Sequence, residues 1–386
     1  MIFHARVGLF AVLGLALSGC GMFSTSDSER DPMELTDFDE RIRVNKLWNT
    51  SVGSGRGDSA TGLKATYVDG QIWAADYKGR VVAIDAESGE RIRRFDLDMQ
   101  LSAGPTVHDE NVLVGTIEGQ IVLLDRETGA IRWRAQLSSE ILAAPLEADG
   151  VVVVRCIDGR VFGLDAQTGF REWVTDTSVP LLTLRGNSDP LIRAGQVFIG
   201  YDDGSLNALD LQTGDLLWEQ RVGTPEGRTQ LERLADIDGP MAIAGLDIYA
   251  ASEHDRMASV ALDSGRLLWV KEIGSYQGLQ VDRTRLAVTD SDDRVWLLDR
   301  RSGSSAWSNE QLLRRGVTSP VLQGGFVVVA DRQGYLHWLD DETGEFVARE
   351  RPSRDAPVSA PLVVGNVLYL LDVDGKLSAW RVGASS

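Results

Sequence analysis

A unit of about forty residues recurs along this chain, and the recurrence constrains the fold more than any single residue does. It is visible as VVAIDAESGE, IVLLDRETGA, VFGLDAQTGF, LNALDLQTGD, SVALDSGR, VWLLDRRSGS and LHWLDDETGE, whose aspartates are Asp85, Asp125, Asp165, Asp210, Asp263, Asp299 and Asp340. An eighth copy, LSAWRV, puts Arg381 where that aspartate would fall. Within a unit, an apolar run such as Val151 to Val154 meets a turn like Asp158-Gly159, and a second apolar run follows. A D-x-x-[TS]-G turn then leads into a segment that often ends in Trp. Asp and Gly supply local hydrogen bonding and positive φ, so both turns read as hairpin loops. A further strand opens each unit, commonly after a small residue and Pro, as at Gly104-Pro105, Ala144-Pro145, Asp189-Pro190, Gly239-Pro240, Ser319-Pro320 and Ala360-Pro361.

Four antiparallel strands per unit form a sheet with two apolar faces, and such a sheet covers neither face alone. Successive sheets must therefore stack around an axis, which predicts an all-β, eight-bladed β-propeller. The last unit, from about Ala356 to Val382, supplies three strands only. The segment from Arg43, with Leu47-Trp48, is expected to pair with it as the fourth strand, closing the ring and removing the open edge. The recurrent Trp48, Trp133, Trp173, Trp218, Trp269 and Trp307 read as plugs between blades, because they stand at equivalent positions all round the ring.

The first residues, MIFHARVGLFAVLGLALSGC, carry Arg6 ahead of an apolar run from Val7 to Leu17 that is short for a bilayer span and shaped like an export signal. Ser18 and Gly19 before Cys20 resemble a bacterial lipobox, in which the cysteine becomes the lipidated first residue. In the sorting pattern this resembles, Asp after that cysteine retains a lipoprotein at the inner membrane; Gly21 here implies the outer membrane. Residues 21–41 are rich in Ser, Asp and Glu without apolar periodicity and read as a mobile tether. The expected organisation is a signal peptide over 1–19, lipidated Cys20 and tether over 20–41, and the propeller over 42–386. With Cys20 lipidated only Cys156 remains, inside VVVVRC, where it reads as an ordinary buried thiol.

A net charge of -18 repels phosphate backbones, which argues against nucleic acid as a partner. Catalytic chemistry should break the repeat at one place with convergent polar groups, and no such place is found. His108, His254 and His337 sit in different units without metal-ligand spacing, and no G-x-S-x-G elbow occurs. Gly53, Gly55 and Gly57 lack a βαβ context. The acidic stretches Asp290 to Asp293 and Asp372 to Gly375 occupy a hairpin position shared by every unit. No catalytic residue, metal or cofactor is therefore expected. The units resemble those of pyrroloquinoline-quinone-dependent alcohol dehydrogenases, also eight-bladed propellers, and that resemblance implies a quinone-dependent enzyme as an alternative. Those enzymes are longer and use an adjacent Cys-Cys pair and a calcium-bound carboxylate; this chain has no Cys-Cys.

The period stretches between Asp165 and Asp210 and again between Asp210 and Asp263. The extra residues fall in TDTSVPLLTLRGNSD and QRVGTPEGRTQLERLADIDG, two links flanking the fourth unit on one face. Leu181, Leu182, Leu184 and Arg185 in one, and Arg228, Glu232, Arg233, Asp236 and Asp238 in the other, have the composition of a protein contact. The alternative is that the leucines fold back onto the blade sides. The lipobox, the repeats, and the stretches LLTLRGNS, QLERLADID and TSPV…GYLHWLD together resemble the BamB family, propeller lipoproteins of the bacterial outer-membrane β-barrel assembly machinery. The resemblance implies a non-enzymatic scaffold at the periplasmic face of the outer membrane that binds the POTRA region of BamA and assists barrel precursors. It carries contact roles onto Leu182, Leu184, Arg185, Asp236 and Asp238. The aspartates would either orient Arg185 or pair with partner cations. A general peptide-binding propeller, using blade edges to pair with unfolded strands, is a further alternative.

Overall fold

The computed structural model describes residues 31–57, 62–176, 188–223, 236–237, 239–253 and 256–383. Among these the fold is all-β, with eight blades of four antiparallel strands arranged in a ring. The blades span Thr66–Asp96, Leu101–Gln136, Leu146–Thr175, Leu191–Arg221, Ala242–Lys271, Leu279–Asn309, Val321–Glu350, and finally Leu362–Val382 together with Val44–Ser51. The last blade closes as expected: Val44 pairs with Val382 and Ser51 with Lys376. Blade 2 also carries an added short strand, Gly62–Leu63, parallel to Leu101–His108.

The period-2 geometry of a strand explains why the second and third strands of a blade are apolar at every position. In blade 3, Val152 and Val154 enter a core shared with blade 2, while Val151 and Val153 enter one shared with blade 4. Each such valine is wholly buried, which contributes about 1.5 to 3 kcal/mol per side chain. The aspartate turns are local hydrogen-bond cages. Asp85 Oδ1 accepts from Ser88 N at 2.7 Å, Ser88 Oγ at 2.9 Å and Glu87 N at 3.1 Å, and the turn at Asp125 repeats the pattern with Thr128. These donors hold the Asp85 carboxyl below its ordinary range.

The tryptophans are plugs between neighbouring blades. Trp48, Trp133, Trp173, Trp218, Trp269 and Trp307 each donate Nε1–H to a backbone carbonyl in the aspartate-type turn of the next blade, those of Ala86, Ala166, Leu211, Leu262, Arg300 and Asp341. The turn glycine of that blade lies flat against the indole; a Cβ on Gly214 would stand 2.6 Å from Trp173. Phe95 takes the same place against Gly129. Blade 5 corrects the sequence alignment. Asp247 pairs with Ala261, and Gly265 N donates to Ala261 O, just as Gly89 N donates to Asp85 O. Ala261 is thus the counterpart of Asp85, the turn has the ordinary length, and Asp263 sits inside the loop.

Two faces of the ring are distinct. The aspartate turns lie on one, and we call it the turn face. The hairpins between second and third strands, and the links from one blade to the next, lie on the other, the link face. The segment Met33 to Arg41, which composition assigns to a tether, runs along blade 7. Leu35 and Phe38 pack into the core between blades 6 and 7, and Arg41 N donates to Val347 O at 2.9 Å. A buried charged cluster holds this strap. Arg315 donates to Asp331 Oδ2 (2.6 and 2.8 Å) and to Met33 O (2.8 Å); Arg349 donates to His337 Nδ1 (3.2 Å) and to Thr36 O (3.0 Å). Because Nδ1 of His337 accepts, its proton resides on Nε2, which donates to Asp331 Oδ2 at 3.1 Å.

That cluster makes stability pH-dependent. Burial, then the nearby Arg349 and Arg315 charges, push His337 below its ordinary 6.5, against the pull of Asp331. Burial disfavours the Asp331 carboxylate too, but His337, Tyr335 N and Arg315 outweigh it and leave that carboxyl below its usual range. Both groups therefore take up protons more readily in the unfolded chain, so stability is present above pH 6.5 and falls as pH drops through the unfolded value of His337. We expect the thermal midpoint to fall between about pH 7.5 and about pH 5.5, and the His337→Gln variant to lose part of that slope. A midpoint that stays level across this interval in the parent chain would contradict the assignment.

Candidate functional site

The two stretched links are the connections from blade 3 to blade 4 and from blade 4 to blade 5, over residues 176–190 and 222–241. Leu182, Leu184, Arg185 and Asp238 lie outside the described residues, as does Cys20. What the structure shows is how both links are rooted. Both are tied to Tyr201-Asp202, in the hairpin between the second and third strands of blade 4.

The first link ends at Ser188-Asp189, and Arg155, Ala144 and Lys64 hold that end. Arg155, the last residue of the apolar run in blade 3, is wholly buried; its Nη1 donates to Ser188 Oγ at 3.1 Å and Ser188 O at 3.3 Å. Its Nη2 donates to Asp202 Oδ1 at 3.0 Å, and its guanidinium lies over the Tyr201 ring, 5.5 Å from the centroid. Asp189 Oδ1 accepts from Ala144 N at 2.7 Å, and Asp189 Oδ2 pairs with Lys64, which follows the added strand on blade 2. Burial pushes the Asp202 carboxyl above its ordinary range, and Arg155 only partly offsets this. The pair is held by geometry rather than by surplus stability.

The second link ends on the same turn. Ile237 N donates to Tyr201 O at 3.2 Å, and its side chain fills the space beside Gly200, where a Cβ would approach Ile237 Cγ2 to 2.5 Å. Asp236 is buried, and its carbonyl accepts from Glu253 N at 3.0 Å. Beyond it Gly239 packs on Gly278, where a Cβ would meet Gly278 N at 2.5 Å, so only glycine allows that approach. The structure thus brings Asp236 to the turn that anchors the first link.

Sequence reasoning missed Arg155, Asp202, Ser188, Asp189 and Lys64. A signal existed for the first of them: an arginine inside the otherwise apolar VVVVRC strand demands a buried partner. Among the described residues no group of three or more His, Cys, Asp or Glu could hold a metal ion. Asp290 and Asp372 act as turn formers: Asp290 Oδ1 accepts from Asp292 N and Arg294 N, and Asp372 Oδ1 from Asp374 N and Lys376 N.

The ring and its rooted links define a β-propeller with one elaborated sector, the class to which quinoprotein-type repeats belong. The quinohemoprotein alcohol dehydrogenase of Comamonas testosteroni shares this fold, with a TM-score of 0.68 over 88% of this chain and 76% of that one, at 16% identity. The family described as outer membrane protein assembly factor BamB matches residues 77–309 and 310–383. Members from Pseudomonas aeruginosa and Xanthomonas campestris are 49% and 39% identical, over 96% and 98% of this chain and 98% of each relative. The crystal structure of BamB from Moraxella catarrhalis superposes with a TM-score of 0.80 at 29% identity, covering 88% of this chain and all of that one. The chain belongs to the BamB family of outer membrane protein assembly factors.

Proposed function

We propose that this chain is a non-enzymatic scaffold for the assembly of outer-membrane β-barrel proteins, anchored through lipidated Cys20 on the periplasmic face of the outer membrane. It grips the POTRA region of BamA with the sector around blade 4. Leu182 and Leu184 enter an apolar groove of the partner, and Arg185 makes a charge-assisted contact beside them. The observation that carries this reading is that both long links are tied to Tyr201-Asp202, the second directly through Ile237 and the first through Arg155 of blade 3, which bridges Ser188 to Asp202. Such a shared root holds the described ends of the two links at one place on the ring. Burial of Asp236 favours its role in orienting Arg185 over direct pairing with the partner, with Asp238 acting alongside it. Family membership supports the assembly role.

The test is Arg185→Glu in the lipidated protein. It should abolish co-purification with BamA from outer membranes while the circular dichroism spectrum stays that of the parent. Undiminished recovery of BamA would remove the assignment of this sector.

A second role finds support in the outer strands of blades 4 and 5, where Leu216, Leu217, Leu267, Leu268 and Val270 are exposed. These are sheet edges with apolar side chains, suited to pairing with an extended, unfolded barrel strand. Photocrosslinkers at Leu217 and Leu268 should capture nascent barrel proteins; labelling no stronger than at the polar Arg94 of blade 1 would count against it.

A further inference from the structure

We propose that blade 7 is a docking site for the chain's own strap, and that docking decides from which face of the ring the N-terminal chain departs.

The strap crosses the full thickness of the propeller. At Met33 it lies on the link face: Met33 N donates to Leu313 O at 3.0 Å, in the connection from blade 6 to blade 7. Arg315, which holds Met33 O, also reaches Gln333 Oε1 at 2.7 Å in the hairpin on that face. At Arg41 the strap has arrived on the turn face, pairing with Glu345 at 2.5 Å, next to the Asp340 turn. The chain then reverses, and Val44–Ser51 runs back through blade 8 to the link face, where Ser51 stands opposite Lys376. A docked strap therefore sends the preceding chain off from the link face. Were it undocked, the ring would be entered at Val44, from the turn face.

The site is built to receive an extended backbone. Two arginines of the ring donate to strap carbonyls, Arg315 to Met33 O and Arg349 to Thr36 O, and Arg314 donates to Asp31 O just ahead of the strap. The first two are oriented from the ring side, Arg315 by Asp331 and Arg349 by His337, so the cradle does not depend on the strap for its shape. Side-chain selection rests on Leu35 and on Phe38, whose ring lies 4.8 Å from the Arg349 guanidinium carbon and 5.6 Å from Phe346. Thr36 adds a hydrogen bond to Gln311 Oε1 at 3.0 Å. Apolar anchors, fixed arginines and main-chain bonds together make a peptide-binding groove filled in cis.

The link face also carries the two long links, rooted three blades away. On the anchoring read above for Cys20, a docked strap turns those links toward the membrane, and a released strap shifts the attachment to the opposite side.

Spin-label distances in solution test the docking without depending on the lipid. In a Cys20→Ser chain only Cys156 remains; it is buried, with its thiol pushed up to about 11 by that burial, and takes no label. Labels are placed at Asp31→Cys with Arg354→Cys on the link face, and at Asp31→Cys with Glu342→Cys in the aspartate turn of blade 7. The expected result is two narrow distributions, the first clearly shorter. Leu35→Ser with Phe38→Ser should broaden both and erase the difference, while the far-ultraviolet spectrum of the ring persists. Broad or equal distributions in the parent chain overturn the proposal whatever the variant does, as do parent-like distances in a folded double variant.

Discussion

Truncating Trp173 to alanine should lower the unfolding free energy by about 3 to 5 kcal/mol, among the largest single effects available in this ring. The indole is only 7% exposed and is enclosed on two sides by glycines. Gly163 lies under it within its own blade, where a Cβ would come within 2.0 Å of the ring; Gly214 lies over it from blade 4. Removal leaves a void that neither glycine can fill, and it orphans the Leu211 carbonyl that the indole N–H satisfies at 3.0 Å. Because the plug joins two blades, chemical denaturation should show a lower midpoint with the slope unchanged if the ring unfolds as one unit. A loss below about 1 kcal/mol would show that the blades do not depend on their plugs.

Replacing Arg155 by methionine should cost a similar amount, about 3 to 5 kcal/mol, because it strands the buried Asp202 carboxylate. The volume is nearly kept, so the loss reports charge rather than packing. Without its guanidinium, Asp202 is pushed further above its ordinary range and takes up a proton in the folded state. A carboxyl with a raised folded value contributes most below its unfolded value and loses that contribution as pH rises, so the penalty of the variant should shrink on acidification. Adding Asp202→Leu should recover part of the loss at neutral pH. Limited proteolysis should meanwhile find the chain around Ser188 more readily cut, since Ser188 O and Oγ both lose their donor. A variant as stable as the parent at neutral pH would refute the buried-pair account.

The ring was legible in the sequence because its unit is repeated, and a repeat lets weak local signals add. The closing strand could be read from Leu47-Trp48 alone, since the last unit lacked an outer strand and one segment fitted. Blade 5 shows the limit. Its motif was matched on the letters Asp and Gly, whereas register is decided by pairing, and Asp247 opposite Ala261 places the turn two residues earlier. The strap is not legible in the sequence, because an extended segment with two apolar anchors, Leu35 and Phe38, has no period to detect. The sector of the links was found from where the period breaks. Its roots were not, because Arg155, Ser188, Asp189 and Asp202 belong to different units and only the folded ring brings them together.

Pairing of Val44–Ser51 with Lys376–Val382 also orders events in time. The first strand of the ring finds its partner only once Lys376–Val382 has been made, so the seam cannot close before the end of the last blade exists. Contacts so distant in sequence are slow to form. A ribosome or export channel that releases the chain from its beginning therefore delivers Val44–Ser51 long before its partner strand, and closure waits on the final residues to arrive.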